Sequence, residues 1–438
     1  MRGLLYAVVT PPWQAPDETG HFEYAWSIAH QEYLPSPEDA SPFFERELLS
    51  SLYEWRYGDY TGRALPERMP SRIEELPSSI FAKNSRTLLS ERFSASYLWS
   101  ALFLLPVRQQ ELVTQLYAVR LSSILLNVGI LWVAFTLFSE LLPTSRHFAL
   151  FMTAVIAFSP QHTFVNSMVG DGPLAELMAS WVLLEWVRLF RHGDGIWAFV
   201  GIALGTLCGI WSKATATFLL PLDLGLAVMW ALRRGLGTWN QRMLLTLLIG
   251  GGGLALGLWL WKDSQLGVVI TDKLVQGVHS LATMDLLWTD VRGITFGEAL
   301  LGAHESFWAN FGWMALPVHG RWYGALLLLA GLSLMGWIWG ESKGEVPWRC
   351  LGVLGGALAL AVGIFVWTAI LGQSSGYYQV QGRYLFPVLI PYTFFLVAGW
   401  ERIFSVRVRW PVMGMFLLGL VIFDVWCLLR YLLPYFYL

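Results

Sequence analysis

The sequence predicts an all-α polytopic membrane protein, a bundle of transmembrane helices, and three observations carry that class. Apolar runs near the ~20 residues that cross a bilayer recur along the chain. Only 14% of the 438 residues are charged, against about 25% in soluble domains, and mean hydropathy is +0.50. The basic residues also sort into alternate loops. A net charge of -2 leaves no electrostatic footprint for a nucleic acid, so none is expected as partner. The partner implied at this level is the lipid bilayer, and the 24 tryptophans suit anchoring at its interfaces.

Met1 to Val9 is an apolar stub, too short to span or to act as the core of a signal peptide. Residues 11–111 then read as a long loop. It holds an amphipathic stretch from His21 to Tyr33, an acidic Pro-containing region at 35–92, and an apolar stretch at 93–107. That last stretch is shorter than a span and is expected to lie on, or dip into, one leaflet. Spanning helices are expected at 112–140, 147–163, 172–190, 195–211, 214–232, 243–261, 323–340, 350–371, 385–400 and 410–432. The chain thus divides into a stub (1–10), a first loop (11–111), a transmembrane bundle (112–261), a second long loop (262–322) and C-terminal transmembrane helices (323–438). Within the second loop, Phe307 to Trp313 is rich in aromatic residues and is expected at the membrane interface.

Orientation follows from the short loops. One set holds Arg146, Arg188, Arg191, Arg233, Arg234, Arg242, Lys343, Arg349, Arg402, Arg407 and Arg409; the other is nearly bare of cations apart from Lys213 and Arg383. The positive-inside rule places the first set in the cytoplasm, and 10–111, 164–171, 212–213, 262–322 and 372–384 outside. A multi-pass protein of the cell's inner (plasma) membrane, with its working face extracytoplasmic, is the expectation. Cys208, Cys350 and Cys427 fall in apolar runs and read as core residues. The Gly250–Gly253 run reads as helix packing, since no Lys-Ser/Thr follows it. No internal repeat supports an inverted-repeat transporter.

The chemistry-bearing run is Pro11-Pro12-Trp13-Gln14-Ala15-Pro16-Asp17-Glu18-Thr19-Gly20-His21. Its structural reading is a helix start, with Pro16 before the first turn, Asp17 as cap and acids favoured by the helix dipole. Its functional reading is a general base tuned by partial burial at the bilayer edge. Lys213 and Arg383 sit where the positive-inside bias does not place cations, either snorkelling to the interface or binding a lipid phosphate. Asp171 is either the cap of a helix starting at Gly172-Pro173 or a member of the same site. Asn166 and His162 read as helix-end hydrogen bonders, and His304 and Glu305 as a solvated loop pair. Asp223 and Asp424 lie within helices and are unexplained by a surface site. They are the best evidence for the competing class, a transporter or lipid flippase; the third class is a non-catalytic envelope-assembly protein.

The Pro-Pro-Trp-Gln-Ala-Pro-Asp-Glu-Thr-Gly-His-Phe run resembles the Pro-Pro-x-x-x-Pro-Asp-Glu-x-x-His-Phe signature of a large bacterial family of predicted membrane proteins. That family looks like a branch of the GT-C glycosyltransferases, alongside the protein O-mannosyltransferases and aminoarabinose transferases of glycosyltransferase family 39. The resemblance continues at Tyr117-Ala-Val-Arg-Leu-Ser-Ser, Ser159 to Asp171, Ser212-Lys213-Ala-Thr, Ser306 to Trp313 and Gln381 to Pro387. It implies a GT-C bundle of about ten to eleven spanning helices, and transfer of a sugar from a polyprenyl-phosphate donor to an extracytoplasmic glycan, lipid or protein acceptor. Asp17 would be the base and Glu18 would tune it or hold the acceptor. His21, Asp171, Lys213, Arg383 and Arg120 would line the substrate. No metal is expected, since single-sugar lipid-phosphate users generally need none; magnesium or manganese among Asp17, Glu18, His21 and Asp171 is the alternative. The family carries a complete first spanning helix before the Pro-Pro motif, so Met1 to Thr10 is expected to be its remnant.

Overall fold

The computed structural model describes residues 1–31, 42–60, 68, 94–193, 195–234, 296–340, 346–375 and 381–438. It is a helical bundle, and among the described residues the only sheet is one antiparallel pair, Asn310–Phe311 with Leu316–Pro317. Among the described residues, six helices are long and apolar enough to cross a membrane: Leu112–Leu141, Ala214–Ala231, Gly320–Trp339, Trp348–Ala369, Gly382–Ile403 and Arg407–Tyr437. They coincide with six of the ten expected spans. The expected span at 243–261, with Gly250–Gly253, lies outside the described residues.

The other three expected spans differ for local reasons. The run 147–163 is two helices, Arg146–Ala157 and Pro160–Val165. Pro160 has no N–H to continue the ladder, and it pushes Ser159 into extended backbone at φ -73°, ψ 115°. The helix Ile196–Ser212 is apolar but shorter, at 17 residues. The helix Gly172–His192 carries Glu176 and Glu185, both buried. It is packed between the Leu112–Leu141 and Ile196–Ser212 helices. A helix enclosed by protein can carry polar groups that lipid would reject, because its neighbours supply the partners. Glu176 takes hydrogen bonds from Asn166 Nδ2 at 2.9 Å and from His162 Nε2 at 2.8 Å.

The amphipathic stretch after the acidic motif forms the helix Glu18–Gln31, and the expected interfacial stretch forms Ala95–Leu104. Ser94 caps the latter by accepting from Ser96 N. Its Tyr97, Ala101 and Leu104 face inward while Leu98 and Leu102 stay exposed.

Between Arg2–Val9 and Glu18–Gln31 the motif loop is built over one buried ion pair. Arg120, inside the Leu112–Leu141 helix, and Glu18 have side chains with no exposure. Arg120 Nε and Nη2 reach the two Glu18 oxygens at 2.8 and 2.7 Å. Nη1 donates to the carbonyls of Ala7 and Thr10, and Nη2 also to that of Pro11, at 2.7, 2.6 and 3.0 Å. Those bonds use all the donors a guanidinium has. Glu18 in turn accepts from the backbone N–H of Trp13 and of Val169. One contact therefore fastens the first helix, the motif loop, the 112–141 helix and the loop before Gly172. It also leaves both side chains with no exposed surface. Glu18, expected beside the base, and Arg120, expected at the substrate, are in this structure buried and bonded to protein groups.

The aromatic stretch Phe307–Trp313, expected at the interface, is mostly core instead. Phe307, Trp308, Ala309, Asn310 and Phe311 are all buried, and Trp313 is partly buried. The helix Phe296–Trp308 lies against the 3-10 turn Gly382–Val388, with Gly382 N donating to Ser306 Oγ at 2.8 Å. A Cβ at Gly382 would fall 2.1 Å from the Ala303 carbonyl oxygen, so only glycine permits this approach. The two intramembrane acids are also accounted for. Asp424 pairs with Arg2, and Tyr6 OH donates to it at 2.8 Å. Asp223 accepts from Trp186 Nε1 at 2.7 Å and Thr206 Oγ1 at 2.5 Å, joining three helices. Both acids therefore have partners that join helices.

Truncating either member of the buried pair strands the other. Glu18→Ala or Arg120→Met is expected to cost about 3–5 kcal/mol. The readout is thermal unfolding of the purified protein in detergent, with Asp17→Asn unfolding like the parent.

Candidate functional site

Five of the seven residues singled out in the sequence meet at one end of the bundle. Asp171 precedes the Gly172–His192 helix, and Lys213 ends the Ile196–Ser212 helix. Lys213 Nζ lies 2.6 Å from Asp171 Oδ1, each side chain about one-fifth exposed. Asp171, read either as a helix cap or as a member of the site, stands at the N-cap position but makes no side-chain capping bond, and its carboxylate turns to Lys213. Arg383, on the turn held by Gly382, donates from Nη2 to Asp17 Oδ2 at 3.3 Å. His21, one turn into the Glu18–Gln31 helix, feels the charges of Asp171, Asp17, Lys213 and Arg383.

The local backbone explains how each group arrives. Trp13 and Asp17 have positive φ, 70° and 61°. Asp tolerates this left-handed region, whereas for Trp it is an outlier. Trp13 is held there by full burial and by its indole N–H on Ser51 Oγ at 2.8 Å. The bend at residue 17 splits the adjacent acids: Glu18 goes down into the core, and Asp17 stays up, 55% exposed. The start of the Ala95–Leu104 helix bolts the two neighbouring loops together. Ser94 Oγ donates to the Ser212 carbonyl at 2.9 Å and Ser96 Oγ to the Asp171 carbonyl at 3.0 Å.

Sequence reasoning missed two tyrosines. Tyr97 OH lies 2.8 Å from His21 Nδ1. The Tyr384 ring lies 5.7 Å from both the Lys213 ammonium and the Arg383 guanidinium, a shared cation–π surface. Tyr384 adjoins Arg383 in the Gln-Gly-Arg-Tyr motif and was findable; Tyr97 carried no signal beyond its apolar stretch. His162 and Asn166 sit apart, in the buried network with Glu176. His304 Nε2 donates to the Tyr323 carbonyl at 3.1 Å, from a helix and not a solvated loop.

Two titrations follow from this packing. Burial pushes the His21 imidazole below its ordinary 6.5, outweighing the pull of Asp171 and Asp17. Burial would raise Asp171, but the Lys213 ammonium, His21 and Arg383 hold its carboxyl below 3.8. At neutral pH the site therefore holds a neutral imidazole between two ion pairs. Among the described residues no group of three or more His, Cys, Asp or Glu is placed to hold a metal ion. Arg383 Nε is buried with no hydrogen-bond partner among the described residues. The site can thus offer a proton acceptor at Asp17 and a donor edge at Arg383.

The helices and the polar cluster at their ends define a multi-pass helical membrane protein. The chain belongs to the family described as predicted membrane protein (DUF2142), whose model matches residues 1–391. No curated protein and no solved structure matches it.

Both shifted groups favour the folded state less in acid. The unfolded chain takes up the His21 proton more readily, so stability is expected to fall as pH drops through 6.5, and again below 3.8 as Asp171 is protonated. His21→Asn should flatten the first of these losses in a series of thermal melts across pH.

Proposed function

We propose that this protein is an integral-membrane glycosyltransferase of GT-C type, moving a sugar from a polyprenyl-phosphate donor to a cell-envelope acceptor on the extracytoplasmic side. The observation that carries the reading is the half-exposed Asp17 carboxylate beside Arg383, whose Nε is buried without a partner. The resemblance of the motif that holds Asp17 supports it, as does the position of the cluster at the helix ends opposite Arg188, Arg191 and Arg402.

In this mechanism Asp17 takes the proton from an acceptor hydroxyl. The hydroxyl oxygen bonds to the anomeric carbon as the bond from that carbon to the phosphate oxygen breaks. The electron pair leaves on the phosphate, which needs positive charge and no general acid. Arg383 supplies that charge, Tyr384 flanks it, and Lys213 keeps Asp171 in place. His21 and Tyr97 offer neutral polar contacts for sugar or acceptor hydroxyls. Glu18 and Arg120 contribute by holding the motif loop.

Purified protein incubated with polyprenyl-phosphate sugars and envelope extract is expected to form a glycosylated product. Asp17→Asn should lower the rate about 10²–10⁴-fold, the usual contribution of a positioned base, without lowering the melting temperature. An undiminished rate would sink the base assignment.

A further inference from the structure

The two ion pairs of the cluster are not equivalent. Asp171–Lys213 is short, at 2.6 Å, both side chains are mostly covered, and Asp171 is bolted at its carbonyl by Ser96. Asp17–Arg383 is long, at 3.3 Å, and joins a 55% exposed acid to a guanidinium only 14% exposed. Asp17 touches Nη2 alone. Nε, on the same edge of the guanidinium, is buried and unpartnered. An Arg edge of Nε and Nη2 matches two oxygens of one phosphate, and leaving half of it empty in a buried setting is costly.

We propose that the Asp17–Arg383 pair is an exchangeable latch: a singly charged lipid phosphodiester takes both donors of the Arg383 edge and releases the Asp17 carboxylate, while Asp171–Lys213 stays closed. The inference rests on the donor-phosphate reading above. It turns the site's charge count into a substrate class. Asp17, Arg383, Asp171 and Lys213 sum to zero beside a neutral His21, and only one cation can be surrendered. One negative charge is matched by Arg383; the second charge of a diphosphate has no cation left to meet it. It also orders the events. Asp17 Oδ2 is occupied by Arg383 Nη2 until the phosphate takes that donor, so donor binding is what frees the carboxylate.

The test is binding of two probes to the full-length protein in detergent, followed by tryptophan fluorescence: farnesyl methyl phosphate, singly charged, and farnesyl methyl diphosphate, doubly charged. The monophosphate diester is expected to bind better. Asp17→Asn removes the competitor for Arg383 and should tighten that binding about two- to fivefold, the weight of a partly exposed ion pair. Arg383→Gln should weaken it at least ~10-fold. Unchanged or weaker binding in Asp17→Asn, or a preference for the diphosphate, overturns the latch, and the Asp17→Asn arm stands even where Arg383→Gln does not fold. Tightening in a protein that transfers no sugar leaves the latch and removes the transferase reading. Transfer by the parent without tightening in Asp17→Asn removes the latch alone.

Discussion

The buried Glu18–Arg120 ion pair is the contact on which the rest of this architecture hangs. Two charges with no exposure are tolerable only where each lone pair and each N–H finds a partner. Here the guanidinium spends its donors on Glu18 and on three carbonyls of the preceding chain. The carboxylate accepts two backbone N–H groups as well. That completeness fixes where the chain must turn between residues 10 and 18. Trp13 and Asp17 take left-handed backbone within that turn, and of the two neighbouring acids only Asp17 reaches the surface.

Above that staple, the polar cluster is assembled from helix ends and held by contacts that leave little slack. Gly382 lets one backbone press against another, so Arg383 arrives at a set distance from Asp17. Ser94 and Ser96 tie the Lys213 and Asp171 loops to a single helix start. A cluster built this way keeps its four charges paired within the protein, which limits the cost of carrying them in an apolar chain.

Much of this was readable from the chain. Apolar length alone marks six of the spans, because a bilayer imposes a minimum length on any helix that crosses it. The motif around Asp17, the Lys213 turn and the Gln-Gly-Arg-Tyr turn each pointed to the cluster. The misreadings share one cause. Glu18 and Arg120 looked functional because a charge in an apolar protein is conspicuous, and Asp424 and Asp223 looked like a transport path for the same reason. Each has a partner on another element: Arg120 lies 102 residues from Glu18, Arg2 lies 422 from Asp424, and Asp223 meets Trp186 and Thr206 on two neighbouring helices. The break at Ser159-Pro160 was legible from proline chemistry, whereas the burial of Phe307 to Phe311 was not, since an aromatic run looks the same at an interface and in a core.

By itself the sequence determined the class of protein, the solvent its helices face, and the residue types available for chemistry at one end of them. Those follow from composition and local period, which need no partner. Only the tertiary structure decided which acid of the Asp17-Glu18 pair stays exposed and which is buried as a fastener, and which ion pair is short and covered and which is longer and open. Those choices depend on donors and acceptors brought together from distant parts of the chain, and in a low-dielectric interior an ionised group's role is set by the partner it finds.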